Sequence, residues 1–497
     1  MKRAVPPPPI VATSELEARQ QAFARRLGRR GINELETGTL VVVPSITFPV
    51  AELAKITAAQ FYEERMLFTV LLLRHPRLHV VYVTSVAVDA EVVDYYLRFL
   101  PDPASARARL DLVTLDDPAP RPLSEKLLAR PDALAEVRAL VDDPDDACLL
   151  TFNVNPVEQR VSEGLGLPLY GPSPDLAPLG SKSGARQVAR RAGVPVLEGA
   201  EDLYSVDALE AAVALIRSHR PEAEAVVIKL NYGFSGQGTA IVSLDGAEVP
   251  MASATTMFCA SEESWKSFAP KVAAEGAIVE EMVRTPGTLS PSVQLHVSPA
   301  GSYEVVSTHD QLLGGPANQV YVGCRFPADS AYRLSIQEQA AKVADVLAAE
   351  GVIGSFGIDF LVVPDAGDLR IYLSEINLRM GGTTHPFWMA RLATDGYYDQ
   401  TTGSLVADGR PKAYVATDNF KSPALAGMAP ARLIAAVDDA GLGYDPVSRT
   451  GTTLHLLGAL RGHGKFGATC IADHPDEADD LYRRVSALIL GPDGSRP

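Results

Sequence analysis

Two stretches of the chain carry residues whose types and spacing suit chemistry on a polyphosphate. Lys229 lies in the apolar strand pattern AVVIKL of Ala225–Leu230, and Gly233, Ser235, Gly236 and Gly238 follow it closely. A lysine beside such a turn places one ammonium and several backbone N–H groups around a phosphate chain, and glycine permits the close backbone approach. A ligand-free hairpin turn has the same look, so this loop alone leaves both readings open. It is not a Walker loop, because GxxxxGK[ST] is absent; in the separate stretch Leu179–Ser183, Ser181 stands between Gly180 and Lys182. Nor is it a nucleophile elbow, since Gln237 stands where GxSxG has its second glycine. The second stretch holds Asp359 in GIDFLVV, with Glu375 and Asn377 closing the next strand pattern, YLSEINLR. Strand positions two apart share a face, so two neighbouring strands present these oxygen donors together. Such a set suits magnesium, which takes few protein oxygens and fills its other positions with water and phosphate. A solvated polar strand end is the alternative for an isolated ExN, and the lysine and glycines upstream weigh against it.

The rest of the chain must position these groups. Its 497 residues suggest about three domains, and 46% hydrophobic with 21% charged residues excludes wholesale disorder. The net charge of −16 argues against a general grip on nucleic acid or an anionic membrane, so a phosphate ligand must be met by local lysines and arginines. No apolar run reaches the roughly 18 residues of a spanning helix, and Lys2 and Arg3 lead straight into Pro6 to Pro9. A soluble cytoplasmic protein is expected. Cys148, Cys259, Cys324 and Cys470 form no CxxC pair, which argues for reduced, packing thiols, and the histidines show no HExxH or HxH spacing.

Short apolar runs at Thr39–Val43, His79–Val83 and Cys148–Phe152 alternate with helical patterns such as Glu91–Leu100, which predicts a parallel α/β sheet buried on both faces. Ser105–Asp146 reads as an irregular or helical excursion. A boundary follows at Leu169–Asp175, where Gly171, Pro172 and Pro174 break regular structure. An α+β middle comes next, with helices at Lys182–Ala192, Val206–His219 and Ala331–Glu350, and strands at Ala225–Leu230, Ala277–Val283, Ser292–Val297, Gly357–Val363 and Arg370–Leu373. From about Lys421 the pattern changes again, with strands at Thr452–Leu457 and Ala468–Ala472. Asp473 is the expected N-cap of the last helix, with Pro475 just inside it.

Lys182, then VIKL with its glycine loop, then AIVEEMV at Ala277–Val283, then GIDF and EINLR, form an ordered set that resembles the ATP-grasp carboxylate–amine ligases. More narrowly, EINLRMGGTTHPF at Glu375–Phe387 and TTLHLLGALRGHGKFG near the C-terminus are similar to the pheganomycin-type peptide ligases. The resemblance implies an ATP-grasp fold at 171–415, a parallel α/β pre-ATP-grasp domain at 38–170 and a small α+β domain at 416–497, with 1–37 a tail and helix. It implies ATP and Mg2+ as cofactors: Lys182 and Lys229 on phosphates, the glycine loop closing over them, and Glu280, Glu281, Met282 and Val283 as the adenine hinge. Asp359, Glu375 and Asn377 are the implied metal ligands. An acid often used for the ribose hydroxyls is absent at Leu289–Ser292.

The implied reaction is attack of a carboxylate on the γ-phosphate, then of an amine on the acyl phosphate. Some relatives place an arginine two residues before the first metal acid, but here that position is Gly357. Arg379 is the first candidate to stabilise the tetrahedral intermediate, Arg325 the second, and His385 a candidate to take the amine's proton. Asp310 and Gln311 are candidates for the substrate side. The implied partners are a small carboxylate and the N-terminal amine of a peptide, with no nucleic acid or membrane, and a homodimer as in many superfamily members. A small amine or single amino acid as acceptor is the alternative, and a nucleotide-binding module without ligase chemistry is a further one.

Overall fold

The computed structural model describes residues 13–233, 238–244, 255–260, 262–283, 285–314 and 320–491. Its first sheet contains β1 (Thr37–Val43), β2 (Arg77–Thr84), β3 (Leu110–Thr114), β4 (Ala147–Thr151) and β5 (Leu169–Tyr170), all parallel, in the order β3-β2-β1-β4-β5. Leu40 and Val42 join the core on one face and Val41 and Val43 that on the other, which is why the strand reads as a continuous apolar run. Fully burying each such side chain contributes about 1.5–3 kcal/mol. Helices therefore cover both faces: the 3₁₀ segment Ala59–Arg74 and helix Ala90–Leu97 on one, Leu123–Leu128, Pro131–Ala139 and Pro156–Leu165 on the other. Strand β3 lies inside the stretch expected to be irregular or helical. Strand order reverses between β1 and β4, so the loops at their carboxyl ends share one crevice. Asn153 and Asn155 pin this crevice by donating to the Thr47 carbonyl at 3.1 and 3.0 Å.

The second sheet is antiparallel: β6 (Gly199–Leu203), β7 (Ala225–Leu230), β8 (Thr239–Ser243), β9 (Thr256–Phe258) and β10 (Ala277–Glu281), ordered β6-β10-β7-β8-β9. Val226, Ile228, Leu230, Ala277 and Val279 pack under helices Val206–His219 and Trp265–Glu275. Alternation turns Lys229 and Glu280 to the opposite face.

The third sheet begins with β11 (Pro291–Val297), β12 (Tyr303–Gly314), β13 (Val320–Phe326), β14 (Gly354–Asp365) and β15 (Asp368–Asn377). It continues through β16 (Tyr397–Asp399), β17 (Ser404–Ala407), β18 (Arg410–Lys421), β19 (Gly451–His455) and β20 (Lys465–Ala472). Its path is β15-β14-β11-β12-β13-β18-β17-β16, with β20 joining β18 to β19. The expected limit between residues 415 and 416 falls inside β18, whose pairing with β13 and β20 makes the C-terminal segment part of this sheet. Asp473 is not the cap of the last helix, Pro475–Leu490. His474 holds that position, while Asp473 accepts from the Lys412 ammonium at 2.5 Å. All four cysteines are free, and no helix among the described residues is long and apolar enough to cross a membrane.

Candidate active site

Lys182 opens the helix Lys182–Arg191, where the Ser181 hydroxyl caps the Gly184 N–H at 2.9 Å. Gly184 is required, since a Cβ there would stand 1.9 Å from the Pro178 carbonyl oxygen. The helix start is tied to the end of β7: Lys182 N donates to the Asn231 carbonyl at 3.1 Å, and Ser183 N to Asn231 Oδ1 at 2.9 Å. From there the Lys182 ammonium donates to Glu375 Oε1 at 2.6 Å and to the Gly233 carbonyl at 3.1 Å, joining the second sheet to the third. Asp359 stands across from Glu375 in the β14–β15 ladder, and Gly357 across from Asn377. Gln311 Nε2 donates to Asp359 Oδ1 at 2.9 Å, Asn377 Nδ2 to Asp359 Oδ2 at 3.1 Å, and Arg379 donates to Asn377 Oδ1.

Two cavities meet at this set. A cleft of about 560 Å³ runs between Lys182, Gly233, Gly238 and Lys271 on one side and the β1–β4 crevice residues Thr47 and Asn155 on the other. A cavity of about 410 Å³ is lined by Arg65, Gln311, Asp359 and Asp418. Glu375, Asn377 and Arg379 belong to the walls of both.

The charges here are strongly coupled. Burial, and then the neighbouring Glu375 charge, push the Asp359 carboxyl above its usual range. Burial opposes the charge on Glu375 as well, but Lys182, Arg379 and Lys229 outweigh it and hold that carboxyl low. Lys229 is raised: burial disfavours its charge, and Glu280 at 2.9 Å overcomes burial. Glu280, only 2% exposed, is lowered against burial by Lys229 and Arg186. Two facing acids with an amide oxygen beside them form a hard-oxygen set of the kind that fits a magnesium ion.

Residues 432–485 match the family model of the PGM1 C-terminal domain, and residues 246–400 that of the IQCH-like ATP-grasp domain. The chain is 30% identical over 467 residues to the L-propargylglycine–L-glutamate ligase of Streptantibioticus cattleyicolor, across 91% of this chain and 94% of that protein. The chain belongs to the ATP-grasp carboxylate–amine ligases, in the pheganomycin-type group. It is also 22% identical over 397 residues to IQ motif-containing protein H of Danio rerio, across 69% of this chain and 37% of that protein. Two solved structures share the ATP-grasp fold. Biotin carboxylase of Campylobacter jejuni matches with a TM-score of 0.54 at 15% identity over 92% of each chain. The biotin carboxylase domain of 2-oxoglutarate carboxylase from Hydrogenobacter thermophilus matches with 0.55 at 12% identity, over 92% of this chain and 94% of that one. The expected ATP and Mg2+ are the cofactors of this superfamily.

Of the nucleotide-binding residues expected in this ATP-grasp ligase, Lys182, Gly233 and Gly238 line the larger cleft. Ser235 and Gly236 lie outside the described residues. Lys229 is paired with Glu280, which also accepts from Arg186 at 2.5 Å, so this acid is committed to two cations. Glu281 pairs with Arg220 at 3.1 Å; its N–H and that of Met282 go to the Glu198 and Ala225 carbonyls at 2.9 and 3.0 Å, and Val283 follows them.

Two of the catalytic candidates in the ligase are displaced. Arg325 is not at the cleft: it points to the last helix, pairing with Asp479 at 3.0 Å in a separate depression, because that helix packs across β18 and β20. His385 lines neither cavity. It lies in the first turn of helix Thr384–Thr394, behind Asp418, and burial lowers it to about 4, which leaves it neutral and a poor proton acceptor near neutral pH. Asp310 turns away to the Tyr332 hydroxyl at 2.6 Å, whereas Gln311 reaches Asp359. At Gly357 a Cβ would meet Gln294 Nε2 at 2.8 Å, so a side chain there would require the Gln294 amide to shift. Sequence reasoning missed Arg65, Asp418 and Arg186. The charged triplet Glu63, Glu64, Arg65 ahead of the apolar stretch Met66–Leu73 was a usable signal, since charges in a buried segment need partners.

Proposed function

We propose that the protein is an ATP-dependent ligase that activates the carboxylate of one amino-acid derivative as an acyl phosphate and couples it to the amine of a second amino acid. The reading rests on one observation: Phe48, Glu375, Asn377 and Arg379 form the wall common to the phosphate-side cleft and the second cavity. A phosphoryl donor in one and a carboxylate in the other meet at that wall. A carboxylate oxygen attacks the γ-phosphorus and ADP departs; the amine nitrogen then attacks the acyl carbon, gives up a proton, and phosphate departs. Lys182 and Lys229 hold the phosphates, and Arg379 offsets the charge of the tetrahedral oxyanion. Asp359, Glu375 and Asn377 would hold magnesium, which offsets charge on the transferring phosphoryl group.

The relative whose name pairs propargylglycine with glutamate supports an amino-acid acceptor. So does the cavity, whose volume of about 410 Å³ is toward the small end for ligand sites. A peptide whose N-terminal residue occupies the same cavity is the second reading, in keeping with the pheganomycin-type grouping. The test is ADP release with Mg-ATP from pairs of amino acids and short peptides, with products weighed by mass spectrometry. ADP formation that needs both partners and yields a product of one condensation is the expected result. Absence of ADP formation with every pair would leave a nucleotide-binding protein without ligase chemistry.

A further inference from the structure

The second cavity contains a second guanidinium that the ligation chemistry leaves unused. Arg65, on the 3₁₀ segment Ala59–Arg74, lines this cavity but not the phosphate-side cleft, whereas Arg379 lines both. Its orientation is fixed from several sides. It is ion-paired with Asp418 Oδ2 and lies 4.3 Å from the centroid of the Tyr62 ring. Tyr62 is itself held by the Lys465 ammonium, which donates to its hydroxyl at 2.6 Å. Behind Arg65, Asp418 is 3% exposed and accepts on Oδ1 from His385 Nε2 at 3.0 Å and from His455 Nε2 at 2.6 Å.

His385, Asp418 and His455 lie close enough together to hold a metal ion. The guanidinium already supplies the positive charge at Asp418, however, and both imidazoles are spent on one carboxylate oxygen. Asp418 is therefore committed to three partners, among which it orients Arg65. Arg65 Nε, in contrast, is buried with no hydrogen-bond partner. A buried donor left unpaired is costly, and the planar guanidinium fork matches a carboxylate.

We infer that Arg65 anchors a carboxylate of the substrate that is not the one activated, with Asp418, His385 and His455 as the residues that position it. The inference rests on the ligase reading above and narrows its substrates. That carboxylate is either the free carboxylate of the acceptor amino acid or the second carboxylate of a dicarboxylic donor.

The experiment uses the full-length enzyme and the substrate pair found by ADP release. On one substrate at a time, the non-reacting carboxylate is replaced by its primary amide. In the unmodified enzyme one amide loses about 10- to 100-fold in kcat/KM, and the substrate that responds identifies the source. In R65Q the KM for the corresponding acid rises by a similar factor, kcat and the KM for ATP stay within about threefold, and acid and amide become nearly equal. Should R65Q fail to fold, R65K keeps Asp418 paired and is expected to show a reduced preference for acid over amide. H385N and H455N are expected to weaken the preference without abolishing it. Variants of Arg65 that keep the full preference for acid would overturn the inference while leaving the ligase reading intact. Failure of every pair to support ADP release by the unmodified enzyme would overturn both.

Discussion

Replacing Arg379 by alanine tests the core of the mechanism. Arg379 is half-buried, donates to Asn377 Oδ1, and borders both cavities; Asn377 in turn donates to Asp359 at 3.1 Å. R379A thus removes two things, a positive charge at the proposed position of the tetrahedral oxyanion and the bond that orients Asn377, a proposed metal ligand. Loss of one preorganised donor to an oxyanion costs about 3–4 kcal/mol, or roughly 100- to 1,000-fold in kcat. Loosening of Asn377 adds about tenfold if it acts as an outer-shell effect on the metal. The KM for ATP should change less than about fivefold, because Lys182 holds its place from the opposite side through Glu375 and Gly233. Steady-state ADP release measures both constants, and trapping the activated carboxylate with hydroxylamine separates the phosphoryl step from amine attack. The arginine should matter most in the second. A kcat within about fivefold of the unmodified enzyme would refute the reasoning and return the search for the stabilising cation to Lys182 and Lys229.

Two further perturbations test the scaffold. Arg186 is 1% exposed between Glu280 and Glu201, so R186M leaves buried carboxylates short of a partner and should destabilise the protein by about 3–5 kcal/mol in urea unfolding. A loss below about 1 kcal/mol would mean that Lys229 alone satisfies Glu280. Glu64, 4% exposed, accepts from the Gly458 N–H at 3.1 Å, and burial raises its carboxyl from 4.5 to about 8. Between those values the folded protein keeps a proton that the unfolded chain releases. Its contribution to stability is therefore full below 4.5 and is lost as pH rises through about 8, with a slope of up to about 1.4 kcal/mol per pH unit. E64Q should flatten the difference in unfolding free energy between pH 5 and 8; parallel pH profiles for the two proteins would contradict it.

Strands buried on both faces, such as β1 and β4, were legible because apolar runs bounded by turn residues have few other uses. The β14–β15 hairpin was legible because a strand repeat of two puts Glu375 and Asn377 on one side whatever else the chain does. Strand β12 was not. Its centre is Ser307, Thr308 and His309, all buried, so polar residues concealed the strand, and the Tyr414 hydroxyl that meets His309 Nε2 at 2.6 Å lies 105 positions away. Strand β18 escaped for a related reason, since its burial comes from β13 and β20, both distant in sequence.

The sequence by itself determined the order of Lys182, Lys229, the glycine loop and the three oxygen donors proposed for magnesium, because each depends only on local spacing and residue type. Tertiary structure alone decided which charges are free to act. Arg325 and Arg379 look alike as arginines near strand ends, yet one is taken by Asp479 of the last helix and the other opens onto two cavities. His385 reads as a proton acceptor beside the metal strand until Asp418 and burial claim it. Arg65 and Asp418 are 353 positions apart and become one unit only where the 3₁₀ segment of the first domain meets β18. Electrostatic function depends on distance and desolvation, and chain folding sets both.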